Sequence, residues 1–211
     1  MATMERKMQE KGAVVMHALT QAMEAAVSRF RHDDMEAKAV QVISLLNRSM
    51  THSAGMEAEE NAQALEQAVH TAEELARRGY GGFAQAIGQA MHFYYNIPQG
   101  EVEALVLPEL LRSYGERVEK SVAKVARKTN IVAIDLPDDR TARLFISWIE
   151  QQRVLFEMPE YIAPLRTQDL QDIIDDALDV AIPLYRVPVF YDAIDLEQFL
   201  APLLPPIVLK E

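Results

Sequence analysis

The sequence contains no cysteine among its 211 residues. Disulfide bonds and metal sites built on thiolates are therefore excluded, because both require cysteine sulfur. A chain of this size without disulfides depends on a hydrophobic core, and 49% of its residues are hydrophobic. A cysteine-free chain also suits a reducing compartment, so we expect a cytoplasmic protein.

Long apolar runs and an excess of positive charge are also lacking. No run of about 18 apolar residues is present, so the sequence predicts no membrane-spanning helix. The first residues, MATMERKMQEKG, are charged, which argues against a secretory signal. Acidic residues outnumber basic ones by 32 to 21, and the net charge of −11 repels nucleic acids and anionic lipids. We therefore expect neither nucleic acid nor membrane among the partners.

Glycine is scarce, with eight residues in the whole chain. None of them follows a predicted strand and opens a helix, which is the pattern that cradles nucleotide phosphates. Gly79, Gly81 and Gly82 do cluster, but they lie between two predicted helices, where they are expected to end one helix and permit close packing. We therefore expect no cofactor to bind to this chain.

Helical periodicity is what the sequence has in abundance. Apolar residues recur with the 3.6-residue period in nearly every segment, which predicts an all-α fold, a helical bundle of about eight or nine helices. Outside the stretch described next, the predicted helices lie near Glu10–Phe30, Asp34–Met50, Met56–Arg78, Glu116–Lys128, Asp138–Phe156 and Leu196–Leu204.

The most informative stretch is YGGFAQAIGQAMHFYYNIPQGEVEALVLP, residues 80–108. It predicts an apolar helix, a turn closed by the sequence IPQG, and a second helix. Gln85 and Gln89 are four residues apart and share one helix face. Gln99 begins the next helix directly after a proline, which disfavours helix in the residue before it. Three side-chain amides are therefore expected where the two helices converge.

This layout resembles the iron-containing (group III) alcohol dehydrogenases. The corresponding region of that family reads roughly H-x-x-x-H-x-x-L-G-x-x-Y-x-I-P-H-G-x-x-N-A-x-L-L-P, and all three of its histidines are glutamine here. The residues that keep the family's frame are Phe93, Tyr94, Tyr95, Asn96, Ile97, Pro98, Gly100, Ala104, Leu105, Leu107 and Pro108.

Two further segments resemble the same family. MHALTQAMEAAVSR, residues 16–29, is similar to its D-A-L-T-H-A-I-E-A-Y-V-S helix. MPEYIAPLRTQDLQDIIDDALDV, residues 158–180, is similar to a later segment that ends in L-A-x-x-A-L. The resemblance covers roughly residues 12–204, which corresponds to the family's C-terminal helical domain. The family's N-P-R turn is absent near residues 185–191.

The resemblance implies a divalent iron or zinc held by one carboxylate and three imidazoles. His17, Gln21, Gln85 and Gln99 stand at those four positions, and Gln89 lies one turn beyond Gln85. Amide oxygen is a poor ligand for iron or zinc, and the carboxylate is missing. We therefore expect no metal and no catalytic residue. We expect these side chains instead to line one polar cavity that could receive a ligand.

The domain division follows the resemblance. We assign residues 1–11 to an N-terminal segment, 12–204 to a dehydrogenase-like helical domain, and 205–211 to a C-terminal tail. The family's C-terminal domain packs against an N-terminal nucleotide-binding domain, which has no counterpart in this sequence. We therefore expect another protein surface to cover the apolar face of the helical domain.

Three functions remain open at this point. The leading interpretation is a degenerate dehydrogenase-like protein, not an enzyme, that acts as a homo-oligomer or through a protein partner. The second is the substrate-pocket subunit of a split NAD(P)-dependent oxidoreductase. The third is a binding protein that reuses the former metal pocket for a small polar ligand.

Overall fold

The computed structural model describes residues 2–30, 32–50, 56–132 and 135–206. These residues form nine α-helices and two short 3-10 segments, Thr167–Asp169 and Ala201–Leu203, and they contain no strand. The prediction of an all-α helical bundle is therefore confirmed. The helices are α1 (Ala2–Val27), α2 (Asp33–Ser49), α3 (Met56–Arg77), α4 (Phe83–Tyr95), α5 (Gln99–Tyr114), α6 (Glu116–Lys128), α7 (Asp138–Leu155), α8 (Leu170–Leu184) and α9 (Ala193–Leu200).

Helix α1 lies at the centre of the bundle. Every residue from Val15 to Ser28 is buried except His17, which is partly exposed. A helix that is buried around its whole circumference needs neighbours on all sides. Helix α1 packs against α2, α3 and α5, and it also contacts α4, α6 and α7. Helix α8 packs against α4, and α9 contacts both α8 and α5.

The start of α1 differs from the prediction. The helix begins at Ala2 rather than near Glu10, so the described part of the expected N-terminal segment is continuous with it. The first turns contain mainly methionine, glutamate, arginine, lysine and glutamine, which are strong helix formers without an apolar period. Arg6 Nε also donates to Glu10 Oε1 at 3.0 Å, one helical turn away. The three-part division of the chain stays a prediction, and residues 207–211 of the tail lie outside the described residues.

The last helix also begins earlier than predicted. Asp192, not Asp195, is its N-cap residue, and the two form a capping box. The Asp195 N–H donates to Asp192 Oδ1 at 3.0 Å, and the Asp192 N–H donates to Asp195 Oδ2 at 3.1 Å. Helix α9 ends at Leu200, because Pro202 cannot supply the N–H that a longer α-helix requires. None of the helices formed by the described residues is long and apolar enough to cross a bilayer.

Candidate functional site

The predicted site residues lie on α1, α4 and α5. His17 and Gln21 are one turn apart on α1, Gln85 and Gln89 are one turn apart on α4, and Gln99 is the first residue of α5. Helix α1 contacts both α4 and α5, and α4 packs against α5. The three helices therefore meet as the sequence analysis expected.

The turn between α4 and α5 determines where α5 begins. Asn96 ends α4 in the left-handed conformation, with φ of 53°, which asparagine tolerates better than most residues. Pro98 then precedes the first turn of α5. Gly100 lies so close to α1 that an added Cβ would be 1.9 Å from the carbonyl oxygen of Ala13. This close approach brings Gln99 beside the face of α1 that carries His17.

The imidazole of His17 is held at both nitrogens. Its Nδ1 lies 2.9 Å and 3.0 Å from the two carboxylate oxygens of Glu103, which is fully buried on α5. Its Nε2 lies 3.0 Å from the amide nitrogen of Gln21. With the proton on Nδ1, His17 donates to Glu103 and accepts from Gln21. Burial by itself lowers the pKa of His17, but the hydrogen bond and charge of Glu103 outweigh burial and raise that pKa above its ordinary value.

A second buried carboxyl lies further along α1. Glu24 Oε2 accepts a hydrogen bond from the Gln85 amide at 2.7 Å, and Glu24 Oε1 accepts from the backbone N–H of Ala84 at 2.8 Å. An added Cβ at Gly82 would lie 2.4 Å from Glu24 Oε1, so any larger residue there would force the carboxyl to shift. Glu24, on α1, thus provides a hydrogen-bond acceptor for a backbone N–H in the first turn of α4 that has no partner within that helix.

Burial has the largest effect on the pKa of both glutamates. It raises the pKa of Glu24 to about 8, against the opposing hydrogen bonds from Gln85 and Ala84, and the charge of Glu103 raises it further. Burial also raises the pKa of Glu103, although the contact with His17 lowers it in part. A carboxylate removed from water is unstable unless it is protonated or paired. Glu103 has a paired histidine, whereas the partners of Glu24 are neutral amides.

The five predicted residues make separate sets of contacts and differ in burial. His17 contacts Gln21, while Gln85 contacts Glu24, three residues after Gln21 on the same helix. Both Gln21 and Gln85 are buried, Gln99 is half-buried and Gln89 is exposed. His17 and Gln99 border a cavity of about 490 Å³. Its lining comprises Glu10, Ala13, Val14, His17, His92, Pro98, Gln99 and Gly100.

The sequence analysis missed Glu24 and Glu103 as members of this site. Helical spacing could have found both. Glu24 follows Gln21 by three residues on α1, and Glu103 follows Gln99 by four residues on α5, so each shares a helix face with a predicted site residue. The metal-ligand positions by themselves do not indicate that Glu103 contacts His17 or that Glu24 contacts Gln85.

Comparison with known proteins agrees with this arrangement of helices. A family model described as the C-terminal part of the Fe-containing alcohol dehydrogenase family matches residues 13–154, more than half of the chain. The chain therefore belongs to the Fe-containing alcohol dehydrogenase family. No curated protein sequence matches it.

Several solved structures share the fold at low sequence identity. A 1,3-propanediol oxidoreductase is 19% identical with a TM-score of 0.79, covering 90% of this chain and 50% of its own. Alcohol dehydrogenase from Oenococcus oeni is 22% identical with a TM-score of 0.73, covering 92% and 51%. Sulfoacetaldehyde reductase from Bifidobacterium kashiwanohense, solved in complex with NAD+, is 16% identical with a TM-score of 0.70, covering 93% and 50%. The chain spans about half the length of these proteins.

The side chains of this site do not fit the metal that the family resemblance implies. Both nitrogens of His17 are engaged by Glu103 and Gln21, and the Gln85 amide is engaged by Glu24. Glutamine amides at the remaining positions bind iron or zinc poorly. In the part of the chain that the structure describes, no three histidine, aspartate or glutamate side chains are grouped so as to hold a metal ion.

Proposed function

We propose that this chain is a non-catalytic, metal-free member of its family that acts through oligomerisation or binding to a protein partner, a pseudoenzyme in the cytoplasm. One observation carries the proposal. His17 stands at the family's first metal position, and its two ring nitrogens are hydrogen-bonded to Glu103 and Gln21. The position that would hold a metal is occupied by interactions within the protein.

The energetic cost of restoring a metal supports this proposal. A metal at His17 would have to displace at least one of its two hydrogen bonds. At Nε2 a metal would displace the hydrogen bond from the neutral Gln21 amide, which contributes roughly 0.5 to 1.5 kcal/mol. At Nδ1 it would displace the hydrogen bond to the charged Glu103, which contributes roughly 1.5 to 3 kcal/mol, and the buried carboxylate left unpaired would add its own desolvation cost. Neither cost would be recovered from glutamine ligands. The polar residues therefore stabilise the junction of α1, α4 and α5, which is a structural role.

Metal content and oxidoreductase activity test the proposal directly. The 211-residue chain, produced with iron and zinc in the medium, should contain far less than one equivalent of either metal by elemental analysis. It should also oxidise no alcohol and reduce no aldehyde with NAD(H) or NADP(H). A stoichiometric metal that disappears in His17→Ala would refute the proposal. The variant Gln89→Ala is the matched control, because Gln89 is exposed.

A second candidate function is binding of a small polar molecule. The cavity beside His17 and Gln99 has a volume of about 490 Å³, within the range of small-molecule sites, roughly 300 to 1,000 Å³. Its polar lining residues are Glu10, His17, His92 and Gln99. A ligand in this cavity should raise the melting temperature of wild type but not of Gln99→Ala, and Gln89→Ala should behave as wild type. A screen of alcohols, aldehydes and sugar-like metabolites without any stabilising compound would dismiss this candidate.

A reconstitution experiment distinguishes the split-oxidoreductase alternative from both of these candidate functions. The solved structures that share the fold are about twice as long as this chain. In the split enzyme, another polypeptide would supply the remaining half. Copurification with a nucleotide-binding protein, accompanied by NAD(P)H turnover that neither chain has alone, would favour the split enzyme over the non-catalytic role.

A further inference from the structure

A second cavity lies between α5, the last turns of α7 and the C-terminal end of α9. It has a volume of about 590 Å³, within the range of roughly 300 to 1,000 Å³ that is typical of small-molecule sites. The described residues that line it all differ from those that line the cavity beside His17. A molecule bound here would therefore occupy a site separate from the former metal positions.

Part of the lining of this cavity is apolar and already held in place. Leu105 and Phe199 are partly buried, and Leu203 is buried in the core. The ring of Phe199 packs on the ring of Tyr191 at a centroid distance of 5.3 Å. Because these side chains are fixed before a ligand arrives, they can receive its apolar part with little loss of conformational entropy.

The charged side chains that line the cavity are Glu109, Arg112, Glu150, Arg153 and Glu160. Arg112 is paired with two of the carboxylates. Its Nη1 lies 2.7 Å from Glu109, and its Nη2 lies 2.6 Å from Glu150. Because Arg112 is on α5 and Glu150 is on α7, this ion pair links the two helices that border the cavity. These three charges are therefore already engaged within the protein.

The other two charges, on Arg153 and Glu160, are opposite in sign. In the described part of the chain, neither residue forms an ion pair, either with the other or with a third group. Arg153 is half-buried, and its Nη1 donates to the Pro159 carbonyl at 3.1 Å. A guanidinium has five N–H donors, so the remaining donors of Arg153 are available to a ligand. The Pro159 contact also holds the guanidinium beside the segment that carries Glu160, so a cation and an anion border the same cavity.

We propose that this cavity binds a small apolar zwitterion, a free amino acid or a dipeptide, whose carboxylate contacts Arg153 and whose ammonium contacts Glu160. The planar guanidinium can donate two parallel hydrogen bonds to a carboxylate. The apolar part of the ligand would lie against Leu105 and Phe199. A ligand with a single charge would leave either Arg153 or Glu160 unmatched, whereas a zwitterion pairs both. The inference goes beyond the proposed function, because this site is separate from the cavity beside His17.

NMR titration of the full chain with leucine and with leucyl-leucine tests the inference. At least one of the two should bind saturably, with a Kd of about 1 mM or lower. Binding of leucine identifies an amino acid as the ligand, and binding of leucyl-leucine alone identifies a peptide. The matched probes are the N-acetyl and the C-terminal amide derivatives of the compound that binds, which lack the ammonium and the carboxylate. Each derivative should bind about tenfold more weakly, because it loses one charged contact.

Substitutions in the protein test the same two contacts. Arg153→Gln and Glu160→Gln should each weaken binding by about tenfold, because each removes one charge and keeps a polar side chain. The matched controls are Arg140→Gln and Glu157→Gln, which replace exposed residues outside the cavity lining and should bind as wild type does. Circular dichroism checks that each variant is folded, and the derivatives test the wild type if Arg153→Gln does not fold.

Two results would overturn the inference. One is a wild type that binds neither leucine nor leucyl-leucine saturably up to about 20 mM. The other is binding that is equally tight after one charge has been removed from the ligand, or from Glu160 in Glu160→Gln. Neither result affects the metal and activity measurements, so failure of the proposed function remains distinguishable.

Discussion

The carboxyl of Glu24 and the amide of Gln85 are joined by a 2.7 Å hydrogen bond that links α1 to α4 inside the core. Both side chains are buried, with 5% and 6% of their surface exposed. Because its partners are neutral, the carboxyl is protonated over much of the physiological range, and its pKa lies at about 8. This buried acid makes the stability of the fold dependent on pH.

We expect the stability of the wild type to fall as the pH rises towards 8. The pKa of Glu24 rises from its ordinary value of 4.5 to about 8 on folding, so the folded state holds a proton that the unfolded state has lost. This contribution is fully present below pH 4.5 and is lost as the pH passes through about 8. Between those values the slope should approach about 1.4 kcal/mol per pH unit. Urea unfolding at several pH values measures it.

Replacing Glu24 by glutamine should remove most of this slope. The introduced amide can accept from the Ala84 N–H and donate to Gln85, whose own amide can rotate to present its oxygen. Glu24→Gln should therefore match or exceed the stability of the wild type above about pH 8. Glu36→Gln is the control, because Glu36 pairs with Lys124 and Lys128 and its pKa is lowered. A slope equal in wild type and Glu24→Gln would contradict the assignment.

The helices were largely predictable from the sequence because their apolar period is strong. Helix α6 has the predicted bounds, Glu116–Lys128, and α3 ends within one residue of its prediction. The start of α1 was not predictable from periodicity, because its first turns are largely exposed and residue propensity favours their helix. The ion pair of Arg6 with Glu10 and the hydrogen bond from Gln9 to the Glu157 carbonyl also support them. The capping box formed by Asp192 and Asp195 likewise starts α9 earlier than the apolar period predicts.

The candidate site was predictable only in part, for a different reason. Sequence spacing located His17, Gln21, Gln85 and Gln99 on three converging helices, and the structure brings those helices together. Spacing would have placed Glu24 and Glu103 on the same helix faces, but it does not reveal that they are fully buried or which side chains they contact. Glu103 is fully buried only because α4 and α5 both pack on α1, and its partner is 86 residues away in sequence.

The titration of His17 should depend on Glu103. In the wild type the pKa of His17 is raised, because the hydrogen bond and charge of Glu103 outweigh burial. Its contribution to stability is present below its unfolded pKa and is lost as the pH rises through its folded pKa. In Glu103→Gln the hydrogen bond to a charged carboxylate is lost and burial is opposed only by the smaller effects of Glu24 and Glu73, so the pKa of His17 should fall. NMR titration of the imidazole signals measures this shift.

Glu101→Gln provides the control for that experiment, since Glu101 is on the same helix and has no contact with His17 among the described hydrogen bonds and ion pairs. It should leave the His17 titration curve unchanged. If His17 titrated identically in wild type and Glu103→Gln, the described pair would not exist in solution.

Arg127 should contribute to stability through geometry as well as charge. Its Nη1 donates to Asp138 at 2.7 Å, and its Nη2 donates to the Leu136 carbonyl at 2.7 Å and to Thr141 at 3.3 Å. A lysine ammonium cannot make these forked contacts together, so Arg127→Lys should lower the free energy of unfolding by about 1 to 2 kcal/mol. Arg117→Lys, at an exposed position of the same helix, should change it by less than about 0.5 kcal/mol in urea unfolding. Equal stabilities of the two variants would argue against a contribution from these simultaneous contacts of the Arg127 guanidinium.

Gly100 should be the least replaceable small residue of the site. An added Cβ would lie 1.9 Å from the Ala13 carbonyl oxygen, which is backbone and cannot rotate away, so α5 would have to separate from α1. Gly100→Ala should therefore destabilise the protein by about 3 kcal/mol or more. At Gly88 the added Cβ would meet Glu103 Cγ and Oε1 at 3.0 Å, so that side chain would have to shift by only a few tenths of an ångström, and alanine favours the helix. Gly88→Ala should cost less than about 1 kcal/mol, and a larger loss than in Gly100→Ala would contradict this packing.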